Sequence, residues 1–220
     1  AIYQGAEDSD KLGVTGTIAI VGDVDGDGES DLLLGAHNED SESGAAYIAL
    51  GPHSGTTTTA DVDVRLSPAT GDYLGRAVSD AGDINGDGLA DLLIGVPRDD
   101  SGASNAGVTY IVYGSSTITS YDGSDADTVY AAAIFGSSSD DQLGAEIDGG
   151  KDFDGDGTAD VFLGATGYGS VEEGGAFFYY GPITGSLTLD DADAALIGTD
   201  RSDNAGDHVL INEHMEASGT

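Results

Sequence analysis

One acidic pattern, Asp-x-[Asp/Asn]-x-Asp-Gly-x-x-Asp, occurs three times in the 220 residues and constrains the fold more than any other feature. The copies begin at Asp23, Asp83 and Asp152, which places them 60 and 69 residues apart. An Asp-x-Leu-Gly sequence precedes each copy, and a Gly with an aromatic-rich run follows it. A period of this length indicates a repeat protein in which each copy is one supersecondary unit.

Each unit has the pattern of four β-strands. Short apolar runs are bounded by Gly, Asp, Ser and Thr, and no stretch shows a sustained 3.6-residue apolar period. In the second unit the strands are predicted near residues 75–82, 90–95, 107–113 and 129–136. The continuous apolar run from Leu92 to Ile94 predicts a strand that is buried on both faces.

A repeat of roughly 60 residues with four strands favours a β-propeller blade over a solenoid rung. A Greek-key sandwich is the alternative, but it does not explain three matching acidic loops at one register. We therefore predict an all-β chain forming a single propeller segment over residues 1–220. It has three complete four-stranded blades and an orphan strand at each end, and is either a partial propeller or one completed by oligomerisation. The predicted parts are blades at about 13–67, 75–136 and 144–199, a partial blade at 206–215 and an orphan strand at 2–5.

The acidic loops have the composition of calcium sites. Alternate side chains on a tight turn converge on one point, and carboxylates that close repel one another unless a cation lies between them. The donors are all hard oxygens and the chain has no Cys, which favours Ca²⁺ over zinc or copper. We predict three Ca²⁺ per chain. The predicted ligands are Asp23, Asp25, Asp27, Glu29 and Asp31, then Asp83, Asn85, Asp87, Leu89 and Asp91, then Asp152, Asp154, Asp156, Thr158 and Asp160.

Within each loop, the residue after the glycine varies freely, so Glu29, Leu89 and Thr158 are expected to contribute only a backbone carbonyl. The glycines themselves, at positions 28, 88 and 157, are expected to adopt positive φ where the loop turns sharply. An EF-hand does not match, because it needs a Glu at loop position twelve and flanking helices. Three ordinary Asp-Gly hairpin turns remain the alternative interpretation.

The unit resembles the FG-GAP repeat of integrin α-chain propellers and of many bacterial secreted proteins. The matching residues are Leu-Gly at 12–13, 74–75 and 143–144, where the family often has Phe-Gly, and the apolar-Gly-Ala or Gly-Val-Pro sequences at 34–36, 94–97 and 163–165. The resemblance covers about residues 2–215. It implies a calcium-binding β-propeller with each metal in the hairpin between the first two strands of a blade. It also implies adhesion or scaffolding outside the cell, although a full propeller of this kind has seven blades.

The charge balance limits the partners. Asp and Glu number 41 against 6 Lys and Arg, so the formal net charge is −35. Such a chain lacks the basic patches that nucleic acids require, and it is not suited to anionic membrane surfaces. No apolar run reaches about 18 residues, so membrane insertion is not expected. We expect a secreted, extracellular or cell-surface protein whose partners are further copies or blades, with an extracellular protein or glycan as a possible ligand.

Other polar and aromatic residues are open to two interpretations. The tyrosines at 47, 110, 179 and 180 lie on predicted third strands, where inter-blade core packing is favoured over a sugar-binding platform. The acidic loops at 39–42, 98–100 and 172–173 link second and third strands, on the blade face opposite the calcium hairpins. They are either solvated turns or, as in family members, a ligand-binding face. The histidines at 37, 53, 208 and 214 show no catalytic order.

Three functions follow from these features. The leading hypothesis is a non-enzymatic, extracellular, calcium-binding propeller module with a structural or adhesive role. The alternative is a recognition module that binds a protein or glycan through its acidic face. A propeller-hosted lyase or hydrolase would need titratable groups on the innermost strands. Those strands are expected to carry mostly Gly, Ala, Val and Ile, with His208 as the main exception, so we predict no enzyme.

Overall fold

The computed structural model describes residues 1–7, 9–14, 16–67, 72–121, 130–200, 203 and 205–210, and within them the chain is almost entirely β. The prediction of an all-β fold is confirmed. The strands are β1 Ile2–Gln4, β2 Ile18–Val21, β3 Asp31–Gly35, β4 Ala46–Ala49, β5 Thr56–Thr58, β6 Val64–Leu66, β7 Ala77–Gly82, β8 Asp91–Val96, β9 Val108–Val112, β10 Ala132–Phe135, β11 Leu143–Lys151, β12 Asp160–Ala165, β13 Gly175–Tyr179, β14 Gly185–Thr188 and β15 Ala194–Ile197.

Three antiparallel meanders form the body of the molecule. Their strand orders are β2-β3-β4-β6, β7-β8-β9-β10 and β11-β12-β13-β15. The four strands of the second meander lie within three residues of their predicted limits. Such sheets, repeated along the chain, are the blades that the FG-GAP resemblance implies. We refer to them as the first, second and third blades, and their exact limits stay a prediction.

A short strand also links each blade to the outer edge of the one before it. β14 pairs in parallel with β10, so it adds a fifth strand to the second sheet. Tyr121 forms the corresponding parallel bridge with Leu66 in β6. β1 pairs in parallel with β5 in the same manner. β1 therefore lies where the outer strand of a preceding blade would lie.

The core consists of two apolar layers between successive blades and a smaller cluster on the other side of the first blade, around Leu34 and Tyr47. The central strand of the second blade, β8, is buried along its whole length, as the sequence predicts. Its residues alternate in direction, so Leu92 and Ile94 pack in the layer shared with the first blade, whereas Leu93 packs in the layer shared with the third. Each blade is thus stabilised mainly by the apolar area it buries against its neighbours.

Glycines allow the blades to approach closely at one edge. Gly95, near the end of β8, lies so close to the carbonyl oxygen of Gly144 that a Cβ atom would come well within 3.0 Å of it. Gly35 meets the carbonyl of Gly75 in the same way. Because backbone faces backbone here, no side-chain movement could make room. The Leu-Gly pair at the end of each second strand therefore has a packing role.

An aspartate caps the loop that enters a blade. In the Asp-x-Leu-Gly sequence at 141–144, Asp141 Oδ2 accepts hydrogen bonds from the backbone N–H groups of Ser137 and Ser138, at 3.0 and 2.7 Å. In the related sequence Asp-Asn-Ala-Gly at 203–206, Asp203 accepts one from Thr199 N–H at 2.7 Å. These aspartates hold the turn between an outer strand and the next inner strand.

Several predictions concern residues outside these strands. Residues 122–129, His214 and the end of the partial blade, 211–215, lie outside the described residues. Helical structure is confined, among the described residues, to one-turn segments such as Glu39–Glu42, in which Asp40 and Ser41 have left-handed φ and ψ. The described helices are all too short to cross a bilayer.

Candidate metal centres

The three acidic loops occupy equivalent places in the three blades. They span residues 22–30, 83–90 and 152–159, and each connects the first strand of a blade to its second. This is the hairpin in which the family resemblance places a metal. The acidic loops at 39–42, 98–100 and 172–173 follow the other end of the same second strands, so they lie on the opposite face, as predicted.

The first aspartate organises each loop by accepting three backbone hydrogen bonds. In the first loop, Asp23 Oδ1 accepts from Gly26 N–H at 2.7 Å and from Asp27 N–H at 3.1 Å. Asp23 Oδ2 accepts from Gly28 N–H at 2.8 Å. Asp83 and Asp152 make the same three bonds in their loops. The repeated sequence therefore produces one repeated backbone path.

Two glycines in each loop adopt positive φ. The prediction for the glycine after the third ligand is confirmed, with φ of 92°, 93° and 98° at Gly28, Gly88 and Gly157. The glycine at the fourth position of the motif also adopts a φ that would strain any other residue, and this was not predicted. The sequence contained the evidence for it, because all three copies have Gly at that position. These residues are Gly26, Gly86 and Gly155, with φ of 83°, 79° and 84°.

The side chains at the first, third and fifth positions converge. In the first loop, carboxylate oxygens of Asp23, Asp25 and Asp27 lie within 4.8 Å of one another. The third loop brings its three equivalent aspartates equally close. In the second loop Asn85 Oδ1 accepts from Asp87 N–H at 2.8 Å, the bond that Asp25 makes in the first. Such clusters of hard oxygens match the donor set of Ca²⁺.

The last aspartate of the motif is buried and ties the loop to the third strand. Asp91 is 0% exposed, and its Oδ2 accepts from Ile84 N–H at 2.9 Å while Oδ1 accepts from Gly114 N–H at 2.8 Å. Asp31 and Asp160 make the equivalent pairs of bonds. A carboxylate oxygen has two lone pairs, so each still has capacity for a cation. Coordination by these residues stays a prediction.

The predicted carbonyl donors adopt a common conformation. Glu29, Leu89 and Thr158 each follow a positive-φ glycine and donate their N–H to the aspartate at the fifth position, at 2.8, 2.9 and 2.7 Å. Their side chains differ in type and in burial, since Glu29 is exposed and the other two are partly buried. That agrees with a backbone role, which itself stays a prediction.

Burial perturbs the titration of the last aspartate. It raises the pKa of Asp91 to about 6, although the hydrogen bonds from Gly114 and Ile84 oppose the shift. The nearby charge of Asp87 raises the pKa further. Burial also raises the pKa of Asp31. A cation bound beside these carboxylates would favour their charged forms and remove this cost.

Acidification is expected to stabilise the metal-free protein between about pH 6 and pH 4. The folded-state pKa of Asp91, about 6, exceeds the value of about 3.9 for an unfolded aspartate. The folded protein therefore binds the proton more tightly, and the resulting stability is lost as pH rises through the folded pKa. Melting followed by circular dichroism in chelator should give a higher midpoint at pH 5 than at pH 7.5.

An Asp91→Asn variant should show a smaller rise between these two pH values. The matched control is Asp190→Asn, because Asp190 is exposed and lies outside the acidic loops. If wild type and Asp91→Asn have parallel pH profiles, the buried carboxyl does not control the effect.

The acidic loops also contact the next blade. Asp23 O accepts from Ala90 N–H at 2.9 Å, and Val24 O accepts from Ser115 N–H at 2.8 Å. The Val24 side chain is buried in the apolar layer between the first two blades. A cation held in such a loop would thus order part of an inter-blade interface.

On the opposite face, an ion-pair network holds the loop at 39–42 in place. Arg65 in β6 lies 2.8 Å from carboxylate oxygens of both Glu39 and Asp40. The Tyr47 hydroxyl donates to Glu39, and burial together with that bond raises the pKa of Tyr47 to about 12. A cavity of about 490 Å³ lies beside this loop and is also lined by Glu7 and Asp10.

The tyrosines of the third strands are mainly core residues. Tyr47 in β4 and Tyr179 in β13 are buried, and Tyr110 in β9 is partly buried, as the core-packing interpretation predicts. Tyr180 follows β13 directly and is also partly buried.

The innermost strands consist mostly of Gly, Ala, Val and Ile, as expected, but His208 is not the main exception. They carry more charge than predicted, with Asp80 in β7 and Glu146, Asp148 and Lys151 in β11. Glu146 lies 3.9 Å from Arg76 and 3.9 Å from the exposed His208. These separations exceed hydrogen-bond length, so the three groups form loose ion pairs and not a nucleophile–base pair.

The partly buried histidines make structural contacts. His37 stacks on Tyr73 with ring centroids 6.1 Å apart, and burial lowers the pKa of His37. His53 Nδ1 lies 2.8 Å from the Tyr3 hydroxyl and so links β1 to the first blade.

Sheets, loops and inter-blade layers together define a propeller-blade repeat protein. Comparison with known families agrees. An FG-GAP-like repeat matches residues 23–94, and an FG-GAP repeat matches residues 77–112. Both matches include the second acidic loop.

Curated relatives include several integrin α-chains. Integrin alpha-E of Mus musculus is 31% identical over 157 residues, covering 68% of this chain and 13% of the relative. Integrin alpha-PS2 of Drosophila melanogaster is 38% identical over 103 residues, or 42% of this chain and 7% of the relative. Integrin alpha-2 of Mus musculus is 32% identical over 98 residues, or 42% and 8%. The chain is an FG-GAP, integrin α-like repeat protein, as the motifs predict, and it spans only a small part of these relatives.

Proposed function

We propose that the chain is a non-enzymatic, extracellular, calcium-binding β-propeller module with a structural or adhesive role. The observation that carries this proposal is the repetition of one loop geometry in three blades. In each loop the first aspartate accepts the same three backbone hydrogen bonds. In the first and third loops, carboxylate oxygens at the first, third and fifth positions lie within 4.8 Å of one another. The similarity to integrin α-chains supports the adhesive role and the location.

A calcium titration tests the metal sites directly. Isothermal calorimetry at pH 7.5 is expected to find three Ca²⁺ per chain, because three loops offer the same donors. Each ion would take six to eight oxygen ligands at about 2.3–2.6 Å. Asp25→Ala and Asp154→Ala, in the first and third loops, should each remove one site or weaken it at least tenfold.

The control for that titration is Asp190→Ala, which removes the same charge from an exposed position outside the loops. It should bind three ions as wild type does. Fewer than two ions bound to wild type at millimolar calcium would contradict the proposal.

A second candidate function is recognition of a protein or glycan by the acidic face. The cavity beside Glu39–Glu42 and the Arg65 pairs that hold this loop in place favour it. A preformed acidic cavity would suit a partner that presents cationic groups. A glycan array and a panel of basic peptides, with Glu42→Ala as the comparison, would separate recognition from a purely structural role.

An enzymatic function has the weakest support. The inner strands carry charged groups, yet Glu146 lies 3.9 Å from both Arg76 and His208. A general base normally lies within about 2.6–3.2 Å of the proton it takes. Screening for lyase and hydrolase activity would test this function.

A further inference from the structure

The candidate metal loops of the first and second blades are joined by backbone hydrogen bonds. Asp23 O, in the first loop, accepts from Ala90 N–H at 2.9 Å, at the end of the second loop. The next carbonyl, Val24 O, accepts from Ser115 N–H at 2.8 Å, on the segment that follows β9. Both carbonyls lie in the backbone between the side chains of Asp23 and Asp25, two predicted ligands. A cation that orders the first loop therefore also orders these two acceptors.

The segment after β9 also holds a predicted ligand of the second loop. Gly114, which precedes Ser115, donates its N–H to Asp91 Oδ1 at 2.8 Å. Asp91 is the last aspartate of the second loop and is 0% exposed. Two consecutive amides, those of Gly114 and Ser115, thus bind Asp91 and the carbonyl of Val24 at the same time. The backbone of the first loop is connected in this way to a ligand of the second.

Leu89 adds a side-chain contact between the same two loops. A Cβ atom at Gly26, in the first loop, would lie 3.4 Å from Leu89 Cδ2. A Cβ atom at Gly114 would lie 2.8 Å from Leu89 Cβ and 2.9 Å from Val24 O, so the three residues meet closely. Leu89 is the predicted carbonyl donor of the second loop. Ordering of the first loop therefore also restricts the residue that carries this donor.

The second and third loops lack these connections. The residue equivalent to Ser115 in the third blade is Pro182, since each follows the glycine that donates to the last aspartate of its loop. Proline has no N–H to donate. In the part of the chain that the structure describes, no backbone hydrogen bond joins the second and third loops. At Gly86, the equivalent of Gly26, no atom lies within 4 Å of an added Cβ.

We infer that the first and second loops bind Ca²⁺ with positive cooperativity, whereas the third loop binds its ion independently. Without a cation the carboxylates of a loop repel one another, so binding must order the loop. An ion in the first loop also orders part of the second through Ala90 and Ser115, and the next ion meets a smaller entropic cost. The coupling is reciprocal, so it does not matter which of the two loops fills first. This inference rests on the proposed function and deepens it, because it concerns the regulation of the same sites.

Isothermal calorimetry on variants with two intact sites tests the inference. Asp154→Ala removes the third site and leaves the coupled pair, whereas Asp25→Ala removes the first site and leaves the second and third. The Asp154→Ala variant should bind its second ion at least about fivefold more tightly than independent filling predicts. The Asp25→Ala variant should bind two ions independently. A chain with both substitutions gives the affinity of the second loop alone, as the reference for both.

Substitution of Ser115 tests whether the backbone bond carries the coupling. In the Asp154→Ala chain, Ser115→Pro removes the N–H that Val24 O accepts, so most of the cooperativity should be lost. Ser115→Ala is the matched control, because it removes only the hydroxyl and should keep the cooperativity. If Ser115→Pro does not fold, Leu89→Ala removes the contact with the first loop and keeps the carbonyl. Its control is Thr158→Ala, at the same position of the third loop.

Amide hydrogen exchange followed by NMR gives a second measurement. In an Asp87→Ala chain, whose second site is disabled, Ca²⁺ in the first loop should still slow exchange of the Ala90 and Ser115 amides. Both amides donate to first-loop carbonyls, so their protection reports the order of that loop. Exchange rates unchanged by calcium would contradict the proposed route of coupling.

Three bound ions with independent affinities in both two-site variants would overturn the cooperativity and leave the proposed function intact. Equal cooperativity in the two variants would show that the bonds to Ala90 and Ser115 are not its cause, and would overturn the inference as well. A wild type that binds no calcium would contradict the proposed function itself, and the inference with it.

Discussion

Removal of calcium is expected to lower the melting temperature by about 15–30 °C, on the basis of about 2.7 kcal/mol for each of three sites filled at a hundredfold excess over Kd and about 2–4 °C per kcal/mol for a chain of this size. Without a cation, the carboxylates of each loop repel one another at short range. The loops also contribute to the layer between blades, through Val24 and Ile84. The protein has no Trp, so circular dichroism is the suitable measurement.

Addition of excess Ca²⁺ after chelation should restore the original midpoint by mass action. Mg²⁺ at the same concentration should restore much less, because it demands a smaller octahedral site and keeps its water ligands. Superimposable melting curves in calcium and in chelator would remove calcium as a source of stability.

Replacement of Gly95 by alanine is expected to destabilise the fold by about 3–5 kcal/mol, an exceptionally large cost for a single methyl group. The new Cβ would overlap the carbonyl oxygen of Gly144 at the start of the third blade. Relief requires the second and third blades to separate, which exposes the apolar layer between them. Chemical denaturation with urea would measure the loss.

Gly5→Ala is the matched control, because a Cβ at that position would make only ordinary contacts of 3.4–3.6 Å and its φ is not positive. It should change stability by less than about 1 kcal/mol. If Gly95→Ala is too unstable to purify, Gly164→Ala tests the same overlap against Gly206, in the segment after β15. If Gly95→Ala and Gly164→Ala were both as stable as wild type, the blades would have to tolerate a wider spacing.

Much of the fold could be predicted because its determinants are local. Short apolar runs and the Gly and Asp residues that bound them specify strands such as β8 within a few residues. The acidic loops are equally local, since the Asp23 side chain accepts its hydrogen bonds from residues three to five positions along the chain. The positive φ of Gly28 follows from the same short-range geometry.

The contacts between blades could not be predicted in this way. The charges of Asp80 and Glu146 were assigned too little weight because the sequence does not show which inner-strand side chains meet. The burial that raises the pKa of Asp91 comes from its position under the end of the third strand, more than 20 residues away, where Gly114 donates to it.

The sequence by itself determined the repeat, the β-strands and the oxygen-bearing side chains of the loops, because turn chemistry and side-chain patterning act over a few residues. Only the tertiary structure decided which residues of each repeat are covered. Val24 and Phe153 occupy the same place in the motif, yet one is buried and the other is 37% exposed. The difference arises because Val24 packs against the strands of the second blade, whereas on the same side of the third blade the structure describes only the short segment after β15, around Gly206.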